Sequence, residues 1–115
     1  MRVRLGYELK RDLYRDLGRV GNLAEKGWVR ARIAASHGLV VVDGAVRIPD
    51  LRIEYETAEL ERKHMDLELV TRNYHASVLA QKAEAGLALF VRPEDASHVH
   101  RALGRRAPEA KVALL

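Results

Sequence analysis

The chain contains no cysteine and no long apolar run. The absence of cysteine excludes disulfide bonds and thiolate metal sites. No apolar stretch approaches the ~20 residues that a membrane helix needs, and the first residues lead into no signal-like apolar segment. Glycine-rich phosphate loops, nucleophile elbows and dinucleotide fingerprints are also missing. What remains is the expectation of one globular domain, in the cytoplasm, with no membrane partner.

The charge of the chain is spread unevenly around a net value of +4. Residues 1–32 carry nine Lys or Arg against four acids, residues 33–91 carry six against nine, and the rest carries five against three. An acidic centre between basic ends suits a metal-assisted phosphodiesterase, in which carboxylates bind the ion and cations bind the phosphate backbone. An arginine-rich solvated surface explains such a mild excess equally well.

Hydrophobic periodicity predicts helices first and strands later. Helical spacing of apolar residues predicts a helix over residues 7–20, and a second helix runs from Asn22 to about Ser36. A β-branched run at 39–42 and the pair Asp43-Gly44 predict a hairpin. The remaining expected elements are a returning strand over 45–56 bent at Pro49, a strand over 63–71, a helix over 74–86, a strand over 87–91, a helix from Pro93 to Gly104 and a strand over 111–115. This order predicts one α/β domain over 1–115, with a helical segment at 1–36 and a sheet-containing core at 37–115.

Strand alternation places acidic side chains on compatible faces of two of these strands. Asp50 shares a face with Arg52, and Asp66 and Glu68 share a face of the next strand with His64. If the strands are neighbours, Asp50 and Glu68 approach each other, and oxygen ligands of this kind suit Mg²⁺ or Mn²⁺. The alternative is that these acids form the solvated face of an antiparallel hairpin, with Arg52 as their neutralising cation.

A resemblance to a known superfamily follows from these motifs. The order helix, three strands, helix, strand, with Pro49-Asp50 on the second strand and an acid within the third, resembles the core of the PD-(D/E)xK nucleases. Pro49-Asp50, the run from Asp66 to Thr71 and then Lys82 are similar to the replication-relaxation proteins of plasmids and other mobile elements, which are regarded as nuclease-like. The resemblance spans roughly residues 39–91. It implies a restriction-endonuclease-like core, α-β-β-β-α-β, with a mixed central sheet flanked by helices.

The resemblance also implies roles for single residues. Asp50, Glu68 and Asp66 become the ligands of Mg²⁺ or Mn²⁺, and Asp50, Glu68 and Lys82 become the catalytic set. Lys82 then replaces the lysine that normally follows the acid by two residues, where this chain has Val70. The implied activity is metal-dependent hydrolysis of DNA in plasmid or mobile-element replication and maintenance.

Val70 leaves a second function open. The same fold can serve as a non-catalytic module that binds nucleic acid or a protein partner, and Lys82 is then an ordinary solvent-facing lysine. A homodimer or an additional protein partner also stays open at this point.

Overall fold

The computed structural model describes residues 1–104 and 111–114. Within them the helices are α1 (Gly6–Arg19), α2 (Gly27–Ser36), α3 (Ala76–Glu84) and α4 (Ala96–Leu103). The strands are β1 (Arg2–Leu5), β2 (Val40–Val42), β3 (Ala45–Arg47), β4 (Leu51–Glu56), β5 (Arg62–Val70), β6 (Ala88–Val91) and β7 (Val112–Leu114). Short 3₁₀ turns at Gly21–Glu25 and Pro93–Asp95 precede α2 and α4. None of the described helices has the length and apolar character needed to cross a membrane.

Five of the strands form one mixed sheet in the order β1-β4-β5-β6-β7. β1, β4 and β5 are antiparallel neighbours, whereas β6 lies parallel to β5 and β7 lies parallel to β6. A parallel pair needs a crossover connection, and α3 supplies it between β5 and β6. The expected α/β class, with a mixed central sheet flanked by helices, is confirmed. β2 and β3 form a separate hairpin around the predicted Asp43-Gly44 turn.

The single strand predicted over residues 45–56 is in fact two strands. β3 ends at Arg47 and β4 begins at Leu51, and they belong to different sheets. Pro49 lies in the break because proline has no N–H to donate to a sheet ladder. The predicted interruption at Pro49 is therefore confirmed, but it separates two elements where a bend within one was expected.

The strand β1 was not predicted at all. It pairs antiparallel with β4, with Val3 opposite Ile53 and Leu5 opposite Leu51. β1 has only four residues, and in the sequence it looks like a short arginine-rich segment before the first helix. The first strand of the sheet is thus Arg2–Leu5, and the predicted strand at 39–42 belongs to the hairpin.

The second predicted helix is also divided. Residues Gly21–Glu25 form a 3₁₀ turn, and Lys26 has extended backbone angles (φ −75°, ψ 125°) before α2 begins at Gly27. The later helices and strands lie close to the predicted positions; the helix expected over 74–86, for example, is α3 at Ala76–Glu84.

The buried side chains form two clusters. One joins β5 and β6 to α3 and α4, and its buried members are Val70, Leu79, Leu87, Leu89, Val91, Val99 and Leu103. The other joins α1, α2 and the hairpin through Leu13, Ala34 and Leu39. Val70, Leu89 and Val91 project from the same side of the sheet, so α3 and α4 cover that side. We call it the helix-side face.

The opposite side of the sheet, which we call the open face, has no buried cluster of its own in the described residues. Its strand positions are Val3, Leu5, Leu51, Ile53, Tyr55, Lys63, Met65, Leu67, Leu69, Ala88, Phe90 and Ala113. Every one of these except Lys63 is apolar. Val3 and Leu69 are each 51% exposed, and Met65 is 48% exposed. The sheet therefore has helices against one face and solvent against the other.

Candidate functional site

Three hydrogen bonds to backbone groups hold Asp50 in place just before β4. Its carbonyl oxygen accepts the N–H of Gly6 at 2.9 Å, and its own N–H donates to the carbonyl of Leu67 at 3.0 Å. Its Oδ2 accepts the N–H of Leu69 at 2.9 Å. Leu51 lies opposite Leu67 in the ladder, which places Asp50 beside Glu68. After the break at Pro49, the Asp50 carboxylate thus lies against β5, beside Glu68.

Glu68 is buried, with 1% of its surface exposed. Its Oε1 accepts a hydrogen bond from the Tyr74 hydroxyl at 2.8 Å, and its Oε2 lies 2.7 Å from the Lys82 ammonium. Burial raises the pKa of the Glu68 carboxyl, Lys82 and Tyr74 oppose that rise, and the Asp50 carboxylate adds to it. The two carboxylates and one ammonium leave the cluster with a formal charge of −1 when all are ionised.

The helix α3 and the residues just before it deliver the other two members of the site. Tyr74 lies just before α3 and Lys82 lies on it, and the Lys82 ammonium lies 5.7 Å from the centre of the Tyr74 ring. The Lys82 side chain is only 14% exposed. Burial, followed by the effect of Glu68, raises the pKa of Tyr74, so its hydroxyl keeps its proton at neutral pH.

The burial of Val70 is consistent with a site lysine that comes from α3, at Lys82, and not from position 70. Val70 is 1% exposed and belongs to the cluster that joins β5 and β6 to α3 and α4. A lysine there would place its charge in an apolar core, which is costly without a partner. Lys82 instead brings its ammonium to Glu68 from the helix above. The structure therefore brings Asp50, Glu68 and Lys82 together, as the sequence predicted.

Asp66 has a different surrounding. Arg52 binds it through two hydrogen bonds, Nε to Oδ1 at 2.7 Å and Nη2 to Oδ2 at 2.9 Å. The same guanidinium donates to the carbonyls of His37 at 2.5 Å and Gly38 at 2.9 Å, just after α2. Arg52 is 4% exposed. Asp66, predicted as a metal ligand, is engaged in this buried network with both of its carboxylate oxygens.

The described part of the chain contains no group of three or more histidine or acidic side chains placed to hold a metal ion. His64 shares the face of Asp66, and its Nε2 lies 3.7 Å from the Asp66 Oδ2. The carboxylates of the candidate site are thus Asp50 and Glu68.

A cleft of about 570 Å³ opens beside Tyr74. Its walls carry four groups that can bear positive charge: Arg72, His75, His98 and Arg101. Arg72 is tied to the buried Asp95 by a 2.8 Å hydrogen bond, and all four residues are exposed. Because Tyr74 both lines the cleft and contacts Glu68, the cleft and the carboxylate cluster adjoin.

Two residues of this region were not predicted to have these contacts. Tyr74 had no role in the predicted site, and it lies just before the helix α3 that carries Lys82. Arg52 was expected to neutralise Asp50 or Glu68, whereas the cross-strand register places it opposite Asp66. Register was the missing information in the second case, since sequence alternation gives the face but not the partner.

Comparisons of the chain with family models, with curated proteins and with solved structures found no match.

Proposed function

We propose that this chain is a nuclease-like domain that acts on DNA and hydrolyses phosphodiester bonds with Mg²⁺ or Mn²⁺. One observation carries the proposal: a buried carboxylate, Glu68, is held between Lys82 and Tyr74, beside the exposed carboxylate of Asp50. A pair of carboxylates can hold a hard divalent ion, and an adjacent ammonium can stabilise negative charge that develops on a phosphate.

The residues present fit a hard divalent ion. Asp50 and Glu68 supply oxygen ligands, and the formal charge of −1 on the cluster attracts a cation. Asp50 uses Oδ2 for the Leu69 N–H and is otherwise open to solvent. A divalent ion, when bound, supplies a nucleophilic water at neutral pH and neutralises charge on the phosphate. Glu68 would hold it with an oxygen that now faces Lys82 or Tyr74.

The chain's own residues have separate tasks in this proposal. Lys82 stabilises negative charge that develops on the phosphate and orients the attacking water. Tyr74 donates to Glu68 and fixes the orientation of that carboxylate. The cations of the cleft beside Tyr74 bind flanking phosphates, a type of contact that positions DNA without reading its sequence.

The sheet also supports a restriction-endonuclease-like core. The antiparallel strands β1, β4 and β5 lie side by side in the sheet, and the crossover helix α3 leads from β5 to the parallel strand β6. The chain departs from the implied order at one point, since β1 precedes helix α1 instead of following it. This strand order, with Asp50 at the start of β4 and Glu68 within β5, supports the resemblance to PD-(D/E)xK nucleases. A role in plasmid or mobile-element replication, as in the replication-relaxation proteins, is the biological part of the same proposal.

Incubation with supercoiled plasmid DNA and Mg²⁺ or Mn²⁺ tests the catalytic proposal. We expect nicking or cleavage that Asp50→Ala and Glu68→Ala each reduce by about 100-fold or more, the scale on which electrostatic catalysis is lost. Glu56→Ala is the matched control, because Glu56 lies at the exposed end of β4. Full activity in both site variants would exclude the assigned site.

A specific observation favours a non-catalytic module as the second candidate. Oε1 of Glu68 accepts the Tyr74 hydroxyl, and Oε2 makes an ion pair with Lys82 without a hydrogen bond, as a carboxylate with a structural role can do. In that case DNA binds without being cut, and Arg101→Ala weakens binding and lowers the salt dependence by about one phosphate contact. Arg62→Ala, at the far end of β5, is the control. A protein-interaction module remains if the chain has no affinity for DNA at low salt.

A further inference from the structure

The open face of the sheet is the largest feature that the proposed function does not use. It contains a contiguous set of apolar side chains contributed by five strands. The large ones that are most exposed are Val3, Leu5, Tyr55, Met65 and Leu69, between 38% and 51%. Monomeric proteins seldom leave such a continuous apolar surface in water, and larger patches mark interaction sites.

Strand pairing makes the exposure of this face more unusual. β5, β6 and β7 run parallel, and sheets of parallel strands are nearly always covered on both faces. Here α3 and α4 cover one face, and the described residues provide nothing for the other. The parallel half of the sheet therefore lacks a layer.

We infer that a second copy of this chain packs against the open face, sheet on sheet, to form a symmetric homodimer. The five strands have three to nine residues, and at about 3.3 Å per residue and about 4.8 Å between strands they give a face on the order of 400 Å² in projection. Two such faces, once the relief of their side chains is included, reach the ~1,000 Å² that a specific interface needs. Sheets pack in this way with their strands about 30° apart.

The charge pattern identifies a copy of the chain as the occupant. Lys63 is the one charged residue at the described strand positions of the open face, and it lies near the end of β5. The centre carries no group that would select an acidic or basic partner, and an apolar surface complements itself across a two-fold axis. Tyr55, Met65 and Phe90 are also of the types enriched in the centres of interfaces. The dimer leaves both Asp50–Glu68 clusters on its outer, helix-covered sides.

Light scattering or sedimentation equilibrium on the full chain tests this inference. The expected mass is twice that of the 13.0 kDa chain at micromolar concentration. Leu69→Glu should weaken dimerisation by about 100-fold or more, since it buries an unpaired charge. Leu60→Glu is the matched control, because Leu60 is 77% exposed in the connection between β4 and β5 and lies off the face. Circular dichroism establishes that both variants are folded.

Salt gives a second readout that separates this inference from the proposed function. Each copy carries a net charge of +4, so added salt should tighten the dimer by screening repulsion, whereas it weakens DNA binding. Because the chain has no cysteine, Leu69→Cys and Leu60→Cys each introduce one thiol. We expect the dimer to protect the first thiol from a water-soluble thiol reagent and to leave the second thiol reactive.

Several outcomes would overturn the inference. A monomer at 100 µM would do so, as would a dimer that Leu69→Glu leaves intact or that Leu60→Glu disrupts equally. Binding of the face to lipid vesicles by a chain that stays monomeric would assign it a different occupant. None of these results depends on whether the chain cuts DNA, so the two proposals fail separately.

Discussion

The two faces of the central sheet reverse the usual distribution of polar and apolar residues. On β4 and β5 the charged residues Arg52 and Glu68 are buried, at 4% and 1% exposure, whereas Met65 and Leu69 on the opposite face are about half exposed. Arg52 and Glu68 lie beneath helical elements, and each has charged or hydrogen-bonding partners there. The apolar side chains have no helix above them.

This difference shows that polarity alone did not decide which face became covered. Burial of a charge is tolerated only when partners satisfy it, and Arg52 and Glu68 both have them. A buried polar network of this kind is costly to break, whereas an uncovered apolar face tolerates substitution within the monomer. Substitutions at matched positions on the two faces should therefore have very different effects.

The largest effect is expected at Arg52. Arg52→Ala leaves Asp66 without its cation and two carbonyls after α2 without their donor, so the free energy of unfolding should fall by about 3–5 kcal/mol. Denaturation by urea measures it. Met65→Ala, on the open face, is the comparison and should cost less than about 1 kcal/mol in the monomer. Equal losses in the two variants would show that the faces do not differ energetically.

The adjacent residues Leu89 and Phe90 make the same comparison with apolar side chains. Leu89 is fully buried on the helix-side face, and Leu89→Ala should cost about 2–5 kcal/mol. Phe90 projects from the open face, and the cost of Phe90→Ala should depend on protein concentration if the dimer forms. Urea denaturation at two protein concentrations measures both quantities. A Phe90→Ala cost as large as that of Leu89→Ala at the lowest concentration would contradict an uncovered face.

The sequence predicted which side chains share a face of the sheet, but it did not predict which face the helices cover. Alternation correctly grouped Asp66 with Glu68, because side-chain direction in a strand follows from chain geometry. Which group is covered depends on where the helices return, and that is decided by long-range packing. The acids were expected on a solvated or metal-binding face, whereas Glu68 is buried.

The candidate site shows the same division between local and long-range information. Strand alternation predicted that Asp50 and Glu68 approach each other if their strands are neighbours, and the resemblance implied a site role for Lys82. The pairing of Asp66 with Arg52 depends on register between β4 and β5, and the strand β1 depends on pairing with a segment about 50 residues away. Neither has a local signal in the sequence.

A smaller effect is expected at Gly6, the first residue of α1, whose N–H donates to the Asp50 carbonyl. A Cβ at Gly6 would collide with the Pro49 carbonyl oxygen, so Gly6→Ala must displace the segment that holds Asp50. We expect a loss of about 1–3 kcal/mol in stability, as in other overpacked sites, together with reduced cleavage. Gly18→Ala in the same helix has open space around it and should be neutral or slightly stabilising. Unchanged stability in Gly6→Ala would show that the close approach is not rigid.

The smallest expected effect is on the pH dependence of stability, which should change in a variant of Glu68 but not in a variant of its neighbour Leu69. Burial raises the pKa of Glu68 in the folded chain above its ordinary value of 4.5, so the folded state holds that proton more tightly than the unfolded state. The contribution of Glu68 to stability is therefore greatest below pH 4.5 and declines as pH rises toward the raised pKa, by at most about 1.4 kcal/mol per pH unit. Glu68→Gln should remove this decline. Leu69→Gln, one residue away on the open face, should leave it unchanged. Unfolding free energies measured from pH 4 to 8 test both variants, and a decline that persists in Glu68→Gln would assign it to another carboxyl group.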